Sequence, residues 1–187
     1  MVGTGEGAVD RSQQPAQRWL ALGAIAAAVV AVDQFTKEAV RASFAPGEGM
    51  HAFGEIWIQH FQNYGVTGGG LQGRALPLAV LSIMGVILLY EFLAPRSHAR
   101  LALAAGFGLL VGGGLGNLVD RWRLGLVTDF IRNGEKAFNI ADVAIFAGGM
   151  VIIAVLVVTL ARALAGELAG ARDRPERDSG RAKEQRT

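Results

Sequence analysis

Long uncharged apolar segments constrain this chain more than any other feature. Residues 19–32, 75–90, 101–119 and 143–161 contain no Asp, Glu, Lys or Arg. The last two runs are 19 residues each, and about 20 apolar residues suffice to cross the hydrocarbon core of a bilayer. In lipid every backbone N–H and C=O must find its partner inside the segment, so such runs span as helices. Charged residues make up 18% of the 187 residues and apolar ones 51%, against roughly 25% charged in soluble proteins. The pattern predicts an all-α membrane protein with four transmembrane helices.

The first run is short. Fourteen residues (19–32) reach only about 21 Å at 1.5 Å per residue. To cross about 30 Å the helix has to continue through DQFTK, residues 33–37, which places Asp33 inside the span near its outer end. An acid there should face protein rather than lipid. Lys37 lies at i+4 and can pair with it. A cleaved signal peptide fits less well, because a long polar segment precedes the run and no small-x-small site follows it. The second run extends through Glu91 to residue 93, and a short basic turn, PRSHAR, leads to the third. Residues 1–18 and 165–187 read as polar, disordered cytoplasmic tails around a four-span domain at 19–164.

Four spans put both termini on one side. Arg11, Arg18, Arg96, Arg100, Arg162 and a basic-rich C-terminal segment fall there; Lys37, Arg41, Arg74, Arg121, Arg123, Arg132 and Lys136 fall opposite. The bias favours cytoplasmic termini. Asp33, Asn63, Asp120, Asp129 and Asp142 are then expected together at the outer leaflet. Residues 41–74 form the longest polar interruption, and Ile56, Trp57 and Ile58 suggest a short strand pair or an interfacial segment there. NYGVTGGG, from Asn63, is too rich in glycine for a helix and reads as a loop.

The acids carry the chemistry. Asn117 and Asp120 are three residues apart and share a helix face, and Asn139 and Asp142 repeat that spacing where the fourth run begins. Asp129 stands between them in the β-branched and aromatic setting VTDF. Two carboxylates held close cannot both ionise cheaply, so one proton is shared. The ionised member can take a proton from water while the protonated one polarises a carbonyl, as in aspartic proteases. On spacing alone a second reading stands beside this one: the acids are ion-pair partners for Lys37, Arg121, Arg123 and Lys136.

Other chemistries fit worse. There is no cysteine, which removes a thiol nucleophile and thiolate metal ligands. His51 and His60 are nine apart with no HExxH, so no metal site is expected. Ser97 and His98 are adjacent but have no third partner. The glycines of GGGLG are not followed by Lys-Ser/Thr, and Gly108, Gly112 and Gly116 read as small-xxx-small packing. A net charge of +2 gives no case for nucleic acid. A small proton-coupled transporter using acid relays would place its acids mid-span and show an internal repeat; neither is seen.

With these motifs in place the chain resembles the bacterial lipoprotein signal peptidase (signal peptidase II) family. The resemblance rests on DQFTK at 33–37, Asn-x-Gly at Asn63 to Gly65, GGGLGNLVDR at 112–121, GLVTDF at 125–130 and FNIADVAI at 138–145. They fall in the family's order and cover most of residues 19–162. The resemblance implies a membrane aspartic endopeptidase that cleaves the signal peptide of diacylglyceryl-modified prolipoproteins before the lipobox cysteine. It implies Asp129 and Asp142 as the catalytic pair. Asp33, Lys37, Asn63, Gly65, Asn117, Asp120, Arg121 and Asn139 would bind substrate or support the pair. It further implies a small extracytoplasmic β-cradle between the first and second helices, no cofactor, and a monomer. Its partners would be a lipid-modified prolipoprotein and membrane lipid, in the bacterial cytoplasmic (inner) membrane. One departure stands out. Where the family carries a bulky aromatic after Asn-x-Gly, this chain has Gly68, so a divergent member with altered substrate or activity through the loop 65–70 is the alternative.

Overall fold

The computed structural model describes residues 14–65, 75–93 and 99–184. The elements run α1 (Gln14–Ser43), β1 (Gly49–Phe53), β2 (Ile56–Asn63), α2 (Ala75–Leu93), α3 (Arg100–Leu124), β3 (Val127–Asn133), β4 (Lys136–Phe138) and α4 (Ile140–Glu184). The chain divides into two compact units, Met1–Ile152 and Ile153–Thr187. All candidate site residues belong to the first. The second continues α4 as far as Glu184. The glycine loop beyond Gly65, with Gly68, lies outside the described residues, as do residues 1–13 and most of PRSHAR.

Among the described residues, Ala16–Ser43, Arg100–Leu124 and Ile140–Leu168 are long and apolar enough to cross a membrane, and Ala79–Leu93 forms a shorter apolar helix. Helix α1 runs unbroken through DQFTK, as the length of the first apolar run requires. Its outer faces carry exposed Leu20, Val32 and Phe35, while Asp33 and Lys37 are buried. Apolar out and polar in is the distribution that lipid imposes.

Glycines let α3 sit at the centre of the first unit. A Cβ at Gly112 would lie 2.8 Å from the Ala26 carbonyl oxygen of α1, and one at Gly116 would lie 2.6 Å from Asp33 Oδ2. On another face Gly106 and Gly148 bring the backbones of α3 and α4 together. Small residues allow this approach, and it shortens the polar contacts between helices. At the end away from the acids, Tyr90 of α2 is fully buried, stacked edge-on against Trp19 at 5.0 Å and tilted on Phe107 at 5.2 Å.

The sheet extends one expectation. A β element was expected between the first and second helices, and β1 and β2 lie there. The structure builds one four-stranded antiparallel sheet, β1-β2-β3-β4, from both connections, with β3 and β4 lying between α3 and α4. Strand β2 pairs with β3 from Ile56↔Asn133 to Asn63↔Val127. The first four residues of β3 are all buried, so they show no polar–apolar alternation from which a strand could be read.

Candidate active site

Five elements deliver the polar side chains to one place. Asp33, Gln34, Lys37 and Arg41 come from α1 and Asn63 from the end of β2. Asn117, Asp120 and Arg121 come from the last turns of α3, and Asp129 from β3. Asn139 and Asp142 start α4. The start of α4 is a reciprocal cap. The Asp142 N–H donates to Asn139 Oδ1 at 3.0 Å and the Asn139 N–H donates to Asp142 Oδ2 at 3.2 Å. This is the capping-box arrangement, with Asn and Asp in place of Ser/Thr and Glu. The spacing of three that suggested a shared helix face is therefore a helix start. A further amide of that first turn, Ala141 N–H, donates to Asp33 Oδ1 at 2.9 Å, which ties α4 to α1.

The acids then divide into two sets. Lys37 and the carboxylates of Asp33 and Asp120 are buried at 0–1% exposure. The Lys37 ammonium lies 2.8 Å from Asp33 Oδ2 and 3.4 Å from Asp120 Oδ2, and donates to Asn117 Oδ1 at 2.9 Å. Gln34 Nε2 donates to Asp33 Oδ2, Asp120 Oδ1 and the Gly116 carbonyl. For these two acids the ion-pair reading is the correct one. A buried charge has to be matched in this way or its desolvation is not recovered.

Asp129 and Asp142 differ. Among the described residues neither takes part in an ion pair. Their oxygens accept from neutral amides instead. Asp129 Oδ1 accepts from Asn139 Nδ2 at 2.6 Å and Oδ2 from Asn63 Nδ2 at 2.9 Å. Asp142 Oδ1 accepts from Asn117 Nδ2 at 2.8 Å. Asn139 is the hub: its backbone N–H holds Asp142, its side-chain amide holds Asp129, and the same amide donates to Asn117 Oδ1 at 3.1 Å. Burial pushes the Asp129 carboxyl up to about 6, with the Asn63 and Asn139 amides opposing and the neighbouring Asp142 charge adding to the rise. The shift has the sense that acid–base work near neutral pH requires.

Gly65 works on this pair through Asn63. Its φ is +88°, a conformation glycine adopts at little cost, and its N–H donates to Asn63 Oδ1 at 2.9 Å. The turn fixes the side-chain amide, so that Nδ2 faces Asp129. A Cβ at Gly65 would meet open space, so Gly65→Ala acts by backbone strain, worth about 1–3 kcal/mol. The expected result is a kcat reduced several-fold with folding retained, measured by single-turnover cleavage. Wild-type kcat in Gly65→Ala would show that the turn does not set Asn63.

Asp142 opens onto a cavity of about 340 Å³ between α2, α3 and the start of α4. Asn117, Arg121 and Asp142 form its polar end, and Ile83, Val86, Leu110 and Ile145 are among the apolar residues lining the rest. Arg121 also donates from Nη1 to the Asn117 carbonyl at 3.3 Å. An apolar cleft with a few convergent polar groups suits a lipid-bearing ligand. A larger cavity, about 770 Å³, is lined by Phe44, Glu48, Trp57, Gln59 and Arg132 among others. None of the candidate residues reaches it. The structure thus brings together all ten residues singled out in the sequence. Sequence reading missed Gln34, Arg41 and Thr128. Gln34 lay inside DQFTK but was given no role, Arg41 lay one turn beyond that motif, and the contact of Thr128 is tertiary.

Comparisons with known proteins supply a family. The family described as Signal peptidase (SPase) II matches residues 25–158. Lipoprotein signal peptidase of Syntrophomonas wolfei is 36% identical over 129 residues, covering 67% of this chain and 85% of its own length. The lipoprotein signal peptidase of Moorella thermoacetica is 34% identical over 134 residues, covering 68% and 87%. Two solved structures described as bacterial membrane enzymes superpose with TM-scores of 0.61 and 0.62. At 27% and 26% identity they cover 71% and 74% of this chain, and the match extends over 89% and 88% of theirs. The fold is that of a helical membrane enzyme. The chain belongs to the signal peptidase II family.

Proposed function

We propose that this chain is an aspartic endopeptidase of the bacterial cytoplasmic membrane, which removes the signal peptide from diacylglyceryl-modified prolipoproteins before the lipobox cysteine. The observation that carries the reading is the division of the acids. Asp33 and Asp120 are paired with cations, Lys37 for both and Arg41 for Asp120, whereas Asp129 and Asp142 are held by amides that share Asn139. The family's signal peptidase activity supports the same assignment.

In this mechanism the more buried Asp129 holds the shared proton and Asp142 is ionised. Asp142 takes a proton from a water as its oxygen attacks the carbonyl carbon preceding the cysteine. Asp129 donates a hydrogen bond to the carbonyl oxygen, and the leaving amine is protonated as the tetrahedral intermediate collapses. Asn63, Asn117 and Asn139 orient the pair, and Arg121 faces the substrate cleft. No cofactor enters. The chain acts as a monomer with four spans. Helix α2 has 19 residues, about 28 Å at 1.5 Å each, close to a bilayer core. Termini lie in the cytoplasm and the acids at the outer leaflet, following the basic residues of the short loops. The diacylglyceryl chains enter the apolar cleft laterally, and the sheet flanks the peptide.

The test is cleavage by purified protein in detergent of a prolipoprotein with and without its diacylglyceryl group, across pH. Only the lipidated form is expected to be cut. A carboxyl with a pKa of about 6 keeps its proton below that value and loses it above. Because kcat/KM reports the free enzyme, it is expected to fall as pH rises through about 6. Cleavage of both substrates alike, or a kcat/KM flat from about pH 5 to 7, would overturn the reading.

A further inference from the structure

We infer that Arg41 is a positioning residue for Asp129, acting through the hydroxyl of Thr128; the inference rests on the reading of Asp129 as catalytic. Thr128 precedes Asp129 on β3, so their side chains leave the strand on opposite faces. Each polar group of Thr128 is tied to another element. Its N–H donates to Asp120 Oδ2 at 2.9 Å, its Oγ1 accepts from Arg41 Nη1 at 2.8 Å, and its carbonyl accepts from Asn139 Nδ2 at 3.4 Å. The side chain is fully buried.

The strand ladder alone is a weak constraint at this point. Asp129 pairs with Phe61 and Thr128 with Gln62, but the register shifts between Ile58 and Phe61, immediately beside the acid. Bulges of this kind occur next to active sites and re-aim side chains. A slip of one residue would send Asp129 to the other face. The contacts from α1 and α3 to Thr128 supply what the ladder lacks.

Arg41 is suited to the task by its shape. Nε and Nη2 donate to exposed Glu38 Oε2 at 3.2 and 2.8 Å, which holds the guanidinium from outside. Nη1 then points inward, 2.8 Å from Thr128 Oγ1 and 3.6 Å from Asp120 Oδ1. A planar fork can make both sets of contacts at once, and an ammonium cannot. A misplacement of about 1 Å at a reacting group can cost as much as ~10²-fold in rate.

The experiment measures kcat, KM and melting temperature of the full chain in detergent with a lipidated prolipoprotein, beside wild type and Asp129→Asn. Arg41→Met and Thr128→Val are each expected to lower kcat about 10-fold with KM changed less than about twofold. The double variant is expected to be no worse than Arg41→Met alone, because the Arg41–Thr128 bond is already lost in each single. Thr128→Ser, which restores the hydroxyl, is expected to recover the kcat lost in Thr128→Val. Should Arg41→Met fail to accumulate, the Thr128 pair of variants decides the matter. Wild-type kcat in both single variants, multiplicative effects in the double, or a Thr128→Ser as slow as Thr128→Val would each overturn the inference. If Asp129→Asn still cleaves, the assignment of Asp129 fails. If Asp129→Asn is dead while Arg41→Met is normal, the latch alone fails.

Discussion

Asp129→Asn is expected to abolish cleavage, by at least about 10³-fold, while the protein still folds. The rate effect follows from losing one member of a pair whose two protonation states divide the work; single general acid–base groups contribute about 10²–10⁴-fold. The stability effect is the balance of two opposing changes. Asp129 accepts from Asn63 and Asn139 through its two oxygens. In the variant one of those oxygens becomes an NH₂ facing another donor, a mismatch costing about 1–3 kcal/mol. Against this, burial disfavours the ionised carboxylate, as its raised pKa of about 6 shows, and a neutral amide is relieved of that penalty. The second change offsets part of the first, so the melting temperature should move by only a few degrees. Asp142→Asn should be equally inactive. Its helix cap can survive, since an amide oxygen can still accept from the Asn139 N–H. Cleavage of a lipidated prolipoprotein, with melting followed in parallel, checks both. A variant with full activity would remove that acid from the mechanism.

Much of the site can be read from the sequence because its parts lie at helix ends with fixed spacing. The apolar run at 19–32 is too short to cross a bilayer, which forces a helix through DQFTK, and the i,i+4 spacing predicts the Asp33–Lys37 pair found at 2.8 Å. Spacing cannot say which acids a buried lysine will choose. Lys37 takes Asp33 and Asp120, and among the described residues this choice leaves Asp129 and Asp142 without an ion pair. That choice depends on Gly116, where a missing Cβ lets α3 close against Asp33. Strand β3 was hidden because burial on both faces erases the period of two. Arg41 was hidden for the opposite reason. It lies one turn beyond Lys37 on a helix that looks finished, and its partner Thr128 is 87 residues away. Local patterns find residues that touch their sequence neighbours. They do not find a latch between a helix end and a strand.

Lys37→Met is expected to be the most destabilising single change in the chain, costing about 3–5 kcal/mol. The ammonium and both carboxylates it serves are at most 1% exposed. Removing the cation leaves Asp33 buried with no cation beside it and Asp120 with only the Arg41 guanidinium, 3.6 Å away. Lys37→Arg is no remedy, since a larger planar group would have to enter a site with no exposed surface. The loss should also reach catalysis, since Lys37 holds Asn117 Oδ1 at 2.9 Å and Asn117 Nδ2 in turn holds Asp142 at 2.8 Å. The two effects can be separated by adding Asp33→Asn to Lys37→Met. The second substitution removes one unmatched charge yet keeps an acceptor oxygen for the Ala141 N–H. The double variant is therefore expected to melt at a higher temperature than Lys37→Met alone while remaining impaired in cleavage, because Asn117 is still unanchored. Thermal unfolding in detergent beside the cleavage assay reads both quantities. A Lys37→Met protein that melts like wild type would mean that its two carboxylates are solvated after all, and the distinction between neutralised and reactive acids would fall with it.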